Sequence, residues 1–138
     1  MSVLVDTPVW SLALRRKKSD LSTRERYLVR ALEELIREGR AQVIGPVRQE
    51  LLSGIRDEAQ FTTLRDNLRA FEEPSLDSED YEHAAYMHNR CRTRGIAGSS
   101  TDFLICAIAS RRKLPIFTTD EDFAHYAKVL PIQIHAIA

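Results

Sequence analysis

Four carboxylates of this chain fall beside predicted strand ends or helix starts, where acidic side chains can act together. Asp6 follows the first apolar run, and Asp120 follows another one near the C-terminus. Asp102 lies in the first turn of a helix that is apolar on every side, and Glu50 lies about one turn past Pro46, where a further helix begins. We expect the four side chains to converge in one acidic pocket.

Such a pocket calls for a cation, because like charges held together repel and raise one another's pKa. The four acids offer only oxygen ligands, with no His or Cys beside them, which suits hard ions such as Mg²⁺ or Mn²⁺. These ions keep part of their water shell and bind substrate phosphate, so phosphodiester hydrolysis is the expected chemistry. Two ions about 3.5–4 Å apart, or one ion with a carboxylate base, could activate the attacking water.

The elements that must position these acids alternate between strands and helices. Apolar runs predict strands at 3–5, 41–44, 114–117 and 131–137, and a weaker one at 72–76. Helical patterns fill the segments between them, and this alternation predicts a three-layer α/β/α domain with a mostly parallel sheet of about five strands. Right-handed crossovers then bring the C-terminal strand ends to one edge, where sites of such folds form.

Helix capping is the competing explanation for the acids. Asp is favoured at helix starts because its carboxylate accepts backbone N–H bonds and complements the helix dipole. Hydroxyls at 99–101 could already cap the apolar helix at 102–109, and Thr118 or Thr119 the later one, so Asp102 and Asp120 are not needed as caps. For Glu50 the alternative is an ordinary exposed helix residue.

Composition and charge describe one folded domain spanning residues 1–138. Lys plus Arg number 20, as do Asp plus Glu, so the zero net charge excludes binding to nucleic acid by bulk charge. Cys91 and Cys106 form neither a CxxC pair nor a disulfide framework, so neither a zinc site nor a disulfide scaffold is expected. Because no apolar run approaches about 18 residues, we expect no membrane span and a cytoplasmic location.

Four segments resemble the acidic motifs of a known family. They are Val-Leu-Val-Asp-Thr at 3–7, Gln-Glu-Leu at 49–51, Thr-Asp-Phe-Leu-Ile-Cys-Ala-Ile-Ala at 101–109 and Thr-Thr-Asp-Glu-Asp-Phe at 118–123. In order and spacing they look like the motifs of PIN-domain nucleases. In length and order the chain is most similar to the VapC-type toxins of toxin–antitoxin pairs, and the resemblance covers essentially all of it.

This resemblance implies roles for individual residues. The implied catalytic and metal-binding acids are Asp6, Glu50, Asp102 and Asp120. Thr7 and Thr118 are implied as supporting residues, and Asp122 could share or take the metal-binding role of Asp120. The family further implies Mg²⁺- or Mn²⁺-dependent endoribonuclease activity on RNA, a homodimer, and inhibition by a VapB-like antitoxin whose C-terminal segment reaches the acidic pocket.

Basic residues cluster where predicted helices end. The first cluster, which is close in sequence to Asp6, is the candidate for binding RNA phosphates and consists of Arg15, Arg16, Lys17 and Lys18. Basic residues at helix C-termini are also explained by the helix dipole alone. The cluster at 111–113 ends a helix that starts at the pocket, so we expect it to be solvated surface at the far edge of the sheet. Trp10 and the leucines at 12–14 are expected in the core.

Two other function classes stay open at this point. An RNA-binding or scaffold domain could use the basic residues while the acids serve as caps. A phosphoacceptor or phosphatase domain could use Asp6 as a nucleophile, although Asp6-Thr7-Pro8 lacks the second acid two residues on. Metal-dependent cleavage of RNA that one carboxylate substitution abolishes would separate the three.

Overall fold

A parallel sheet of three short strands lies at the centre of the computed structural model, which describes residues 1–137. Strand β1 is Val3–Val5, β2 is Ala41–Gln42 and β3 is Ile116–Phe117. Their order is β2-β1-β3, with Val3 opposite Ala41 and Leu4 opposite Ile116. Successive strand residues point to opposite faces, yet Val3, Leu4 and Val5 are all fully buried. Both faces of the sheet are therefore covered, and the predicted α/β class is confirmed.

The prediction of a sheet of about five strands is wrong, because the sheet in residues 1–137 has three strands. The segments at 72–76 and 131–137 join the sheet only as single parallel bridges, Gln42 with Glu72 and Ile116 with Ile134. Pro74 has no N–H to donate, which limits the first of these segments. The second can pair only along β3, which is two residues long.

Helices occupy most of the remaining described chain. They are α1 Thr7–Leu14, α2 Thr23–Arg37, α3 Gly45–Leu52, α4 Glu58–Leu68, α5 Ser78–Thr93, α6 Ser100–Arg112 and α7 Asp122–Tyr126. Ser22 and Glu25 form a capping box at the start of α2: Glu25 N–H donates to Ser22 Oγ at 3.1 Å, and Ser22 N–H donates to Glu25 Oε1 at 2.9 Å. Within residues 1–137, no helix has both the length and the apolar character that a membrane crossing demands.

The apolar helix predicted at 102–109 is α6, and it is buried as expected. Its fully or almost fully buried side chains are Phe103, Ile105, Cys106, Ala107, Ile108 and Ala109. Helix α5 packs along α6 and contributes Cys91, a buried free thiol like Cys106. Trp10 on α1 is also fully buried and donates its indole N–H to the Val5 carbonyl at 3.1 Å, so its predicted place in the core is confirmed.

A buried ion-pair cluster joins the start of α5 to the end of α6. Asp80 is fully buried, and its two carboxylate oxygens accept hydrogen bonds from Arg111 at 2.6 Å and from Arg112 at 3.1 Å. Arg111 also pairs with Asp77 at 3.0 Å and with Glu79 at 2.9 Å. The guanidinium of Arg111 therefore binds three acids at the start of α5: the cap residue Asp77 and the first-turn residues Glu79 and Asp80.

This cluster corrects the expectation that the basic residues at 111–113 are solvated surface. Arg111 and Arg112 do lie at the surface, but their side chains are only 27% and 31% exposed and are bound to the acids of α5, so they are not free in solvent. The expectation of solvated surface is confirmed for Lys113, which is exposed and ends α6 with a positive φ of 56°. Sequence spacing alone could not show that α5 begins where α6 ends.

Removing Asp80 should destabilise the fold strongly, since it leaves two arginines without their buried partner. We expect Asp80→Ala to lower the free energy of unfolding by about 3–5 kcal/mol. The control Glu79→Ala removes one ion pair of a side chain that is 76% exposed and should cost less than about 1 kcal/mol. Urea unfolding followed by the fluorescence of Trp10 measures both, and equal losses would contradict the role of Asp80.

Candidate active site and metal centre

Two acids lie at the edge where the C-terminal ends of β1 and β3 meet. The N–H of Asp6 donates to the Phe117 carbonyl at 2.9 Å, which fixes the two strand ends side by side. Thr118, the next residue after β3, donates its hydroxyl to Asp6 Oδ2 at 2.8 Å and accepts the N–H of Asp120 at 2.9 Å. Thr118 thus connects two of the candidate acids, although they are distant in sequence.

Asp6 is the most deeply buried of these acids. It is 4% exposed and caps α1, with Thr7 N–H donating to Asp6 Oδ1 at 2.8 Å. Burial raises the pKa of Asp6 to about 6, and the charges of Asp102 and Asp120 add to the rise, while the hydrogen bonds from Thr118 and Thr7 oppose it. The hydroxyl oxygen of Thr7 is buried and has no hydrogen-bond partner among residues 1–137.

Asp102 lies in the first turn of α6 but does not cap that helix. Ser99 is the cap, and its hydroxyl accepts the N–H of Asp102 at 3.1 Å, so the prediction that a hydroxyl serves there is confirmed. The Asp102 carboxylate is left for other contacts, and it accepts the hydroxyl of Tyr126 at 2.7 Å. Partial burial raises the pKa of Asp102, and the nearby charges of Asp120 and Asp122 raise it further.

Three carboxylates gather in one group. Asp102, Asp120 and Asp122 each offer one oxygen atom, and these atoms lie within 4.8 Å of one another. Asp120 also accepts the N–H of Asp122, the first residue of α7, at 2.9 Å. Glu121 precedes this helix and makes no side-chain capping bond, so the expected capping by Thr118 or Thr119 is not observed. One Asp120 oxygen holds the start of α7, which is the geometry that brings Asp122 into the group.

The donor chemistry of this group fits a hard divalent cation. Its ligands are carboxylate oxygens, which Mg²⁺ and Mn²⁺ prefer, and both ions tolerate water in the remaining positions. Burial is the main cause of the raised pKa values of Asp6 and Asp102, and the charges of the neighbouring acids add to it. A cation among these acids would offset both effects. The residues present therefore fit a Mg²⁺ or Mn²⁺ site.

Glu50 lies apart from the group of three. It is exposed on α3, and its side chain makes no hydrogen bond or ion pair within residues 1–137. The structure places Asp6 next to Asp120 through Thr118 but does not bring Glu50 into the same close set. The metal-binding role of Glu50 stays a prediction.

The basic cluster at 15–18 follows the end of α1, about 12 Å along the helix axis from its start at Asp6. Arg15, Arg16 and Lys17 line a groove of about 790 Å³ together with Arg56 and one side of α4. Arg16 is held by Glu25 at 3.3 Å, whereas the side chains of Arg15 and Lys17 form no ion pair within the described chain. Lys18 lines a neighbouring groove beside α2.

Comparison with known proteins places the chain in a family. A family model described as the PIN domain matches residues 3–129. The chain belongs to the PIN domain family. No curated protein matches it.

Solved structures share the fold of this PIN domain. A chain of VapBC2 from Rickettsia felis bound to a promoter DNA fragment has a TM-score of 0.74 at 17% identity, covering 97% of this chain and 96% of that one. FitAcB from Neisseria gonorrhoeae gives 0.71 at 20% identity, covering 96% of each chain. A toxin–antitoxin complex from Klebsiella pneumoniae gives 0.70 at 19% identity, covering 89% and 91%.

Tyr126 is the residue of the acid cluster that sequence reasoning missed. It is fully buried on α7, and its hydroxyl reaches Asp102 on α6 across 24 residues of sequence. Burial and the bond to Asp102 raise the pKa of Tyr126 well above its usual range, so the hydroxyl keeps its proton and acts as a donor. No periodicity or motif in the sequence signals this contact.

The raised pKa of Asp6 predicts a pH dependence of stability in the metal-free protein. The folded state keeps the proton of Asp6 up to a pH of about 6, whereas the unfolded state loses it near pH 3.8. The protonated carboxyl therefore contributes fully to the free energy of unfolding only below pH 3.8. This contribution is lost as pH rises through the folded pKa. Asp6→Asn lacks this titration, so its stability relative to the parent should rise by about 2 kcal/mol between pH 4 and pH 7.

Urea unfolding in EDTA at both pH values measures this difference. Adding Mn²⁺ at pH 7 should then stabilise the parent more than Asp6→Asn. A difference between the two proteins that stays constant with pH would show that Asp6 is only a helix cap.

Proposed function

We propose that this PIN domain protein is a Mg²⁺- or Mn²⁺-dependent endoribonuclease and the toxin of a VapBC-type toxin–antitoxin pair. The observation that carries the proposal is the grouping of Asp102, Asp120 and Asp122 within 4.8 Å, beside the buried carboxylate of Asp6. Membership of the PIN domain family supports the nuclease activity. The shared fold with chains of toxin–antitoxin complexes supports the toxin role.

Each acid has a place in this proposal. Asp6, Asp102 and Asp120 hold the cation, Asp122 shares the role of Asp120, and Glu50 on α3 is proposed as the remaining acid. When bound, Mg²⁺ or Mn²⁺ supplies an activated water and neutralises charge on the phosphodiester. Thr118 keeps Asp6 and Asp120 in register through its two hydrogen bonds. The buried environment of Asp6 strengthens its attraction for a cation.

A non-catalytic domain with capping acids is the second candidate. Two observations favour it, because Asp6 does cap α1 and Asp120 does hold the N–H of Asp122. Capping does not explain Asp102, whose helix is capped by Ser99, nor why three carboxylates crowd together. The phosphoacceptor alternative is disfavoured, since Pro8 stands two residues after Asp6, where the second acid of such a site is expected.

Arg15 and Lys17 are proposed to bind RNA phosphates in the groove beside α4. Both are exposed and without ion-pair partners in the described residues, so their charges are available to an anion. Arg56 lines the same groove and adds a positive charge, so four basic residues face one acid there, Asp57. Arg16 lines the groove but is paired with Glu25, and Lys18 lines the neighbouring groove, so both are proposed to contribute less.

The proposed partners follow from the acidic site and from the similar folds. An antitoxin that inserts an Arg or Lys among the acids would neutralise them as a metal does, and Arg is well matched to a carboxylate pair. Cation and antitoxin would then exclude each other, so each should weaken the binding of the other. We further propose that the protein acts as a homodimer in the cytoplasm.

The purified protein should cleave single-stranded RNA with Mg²⁺ or Mn²⁺ and not in EDTA. Asp102→Asn keeps the side-chain shape but removes one charge from the metal site. Cleavage should fall at least about a hundredfold, since losing even a residue that supports a metal ligand costs 10- to 100-fold. The matched control is Asp66→Asn, on an α4 residue that is 57% exposed, and it should cleave like the parent.

Two further readouts use the same variant. Expression of the parent alone should arrest bacterial growth, and Asp102→Asn at equal expression should not. A parent that binds RNA without cleaving it would favour the non-catalytic candidate, and arrest that persists in Asp102→Asn would contradict toxicity by cleavage. Comparing Asp120→Asn with Asp122→Asn then shows which residue is the fourth acid.

Substitution of Arg15 and Lys17 tests the RNA groove. In the Asp102→Asn background, the double change to Gln should weaken binding of labelled single-stranded RNA and lower the salt dependence of log affinity by about 1.4, because each phosphate contact contributes about 0.7. Arg37→Gln, on a side chain 66% exposed at the end of α2, is the control. Fluorescence anisotropy over a salt series measures both, and an equal slope in all variants would exclude this groove.

A further inference from the structure

Tyr126 has its ring in the core and its hydroxyl on the acid cluster. The side chain is fully buried, and the hydroxyl donates to Asp102 Oδ2 at 2.7 Å. A buried tyrosine hydroxyl requires a hydrogen-bond partner, and here that partner is a charged carboxylate. Bonds of this type are shorter and stronger than bonds between neutral groups, so the contact restrains Asp102.

Aromatic packing sets the position of the Tyr126 hydroxyl. The Tyr126 ring lies 5.1 Å from that of Phe103 and 5.2 Å from that of Phe123, measured between centroids. Phe103 is stacked in turn on His88 of α5, with centroids 4.8 Å apart and an interplanar angle of 15°. Three helices therefore fix the place from which the hydroxyl reaches Asp102.

Gly98 leaves the space that the tyrosine needs. A Cβ at this position would overlap the Tyr126 hydroxyl and would lie 2.8 Å from Tyr126 Cζ and 2.9 Å from Phe103 Cε2. The backbone of Gly98 is not in the left-handed region, so alanine is excluded by space and not by conformation. Gly98 immediately precedes the cap of α6 and thus lies next to the turn that carries Asp102.

We propose that Tyr126, seated against Gly98, is a positioning residue that holds the Asp102 carboxylate for the divalent cation. This inference rests on the proposed metal-dependent function. The hydrogen bond occupies Oδ2 and leaves Oδ1 for the cation, with the carboxylate fixed before the cation binds. Residues that orient a metal ligand in this way strengthen metal binding because the ligand does not have to be ordered.

Two variants disturb the contact by different routes. Tyr126→Phe removes only the hydroxyl and keeps the packed ring, whereas Gly98→Ala keeps the hydroxyl and displaces it. Tyr86→Phe, on an α5 residue that is 53% exposed, is the control for the first. Gly45→Ala is the control for the second, since its added Cβ would meet Glu73 at an ordinary distance of 3.5 Å.

Binding of Mn²⁺ without RNA is the deciding measurement. Electron paramagnetic resonance of free Mn²⁺ during titration gives the affinity, and circular dichroism confirms that each variant is folded. Both Tyr126→Phe and Gly98→Ala should bind Mn²⁺ about 10- to 100-fold more weakly than the parent, and both controls should match it. Raising Mn²⁺ should restore the cleavage rate of Tyr126→Phe, which a damaged fold would not allow.

The outcomes separate this inference from the proposed function. If the parent binds Mn²⁺ and Tyr126→Phe binds it as tightly, the positioning role is overturned while metal-dependent cleavage stands. If Tyr126→Phe binds Mn²⁺ weakly but Gly98→Ala binds it like the parent, the role of the hydroxyl stands and the role of Gly98 in placing it is overturned. A parent that binds no Mn²⁺ overturns the inference and the proposed metal site together.

Discussion

The burial of one carboxylate beside other acids, at one edge of the sheet, is the constraint on which the candidate site of this PIN domain depends. Asp6 is buried beside the charges of Asp102 and Asp120, and its pKa is raised to about 6 as a result of burial and these charges. Such a group would spread apart if its members were free to move. The fold prevents this by fixing Asp6 at a strand end and by joining it to Asp120 through Thr118. In the proposed function, this costly arrangement serves to bind a cation.

Helix α6 shows how the crowded end is held. At its C-terminal end, Arg111 and Arg112 pair with the buried Asp80 of α5, so the charges there are balanced. At its N-terminal end, the Ser99 cap and the Tyr126 hydroxyl fix Asp102, whose charge has no cationic partner among the described residues. The helix is thus anchored where its charges are paired. Because this end is anchored, α6 keeps its place although the carboxylate of Asp102 at its other end has no cationic partner.

The acids of this edge have both structural and proposed chemical roles. Asp6 caps α1 and Asp120 holds the start of α7, yet each has a second oxygen that these backbone bonds do not use. In Asp6 that oxygen accepts the Thr118 hydroxyl. Capping and metal binding are therefore compatible in one residue, because a carboxylate offers two oxygens with several lone pairs. Substitution by Ala would remove both the capping and the proposed metal-binding group. Substitution by Asn removes the charge but keeps the side-chain shape and an oxygen that can cap the helix.

The sequence by itself determined the α/β alternation, the main helices with their caps, and the approach of Asp6 and Asp120 to one edge. These features depend on local periodicity, on capping hydroxyls such as Ser22 and Ser99, and on the rule that parallel strands end together. The tertiary structure alone decided the width of the sheet, the position of Glu50 outside the close group, the pairing of Asp80 with Arg111, and the contact of Tyr126 with Asp102. The last two contacts join helices at separations of 31 and 24 residues. They depend on how each helix is rotated and where its end lies against its neighbour, and local sequence patterns do not encode those quantities.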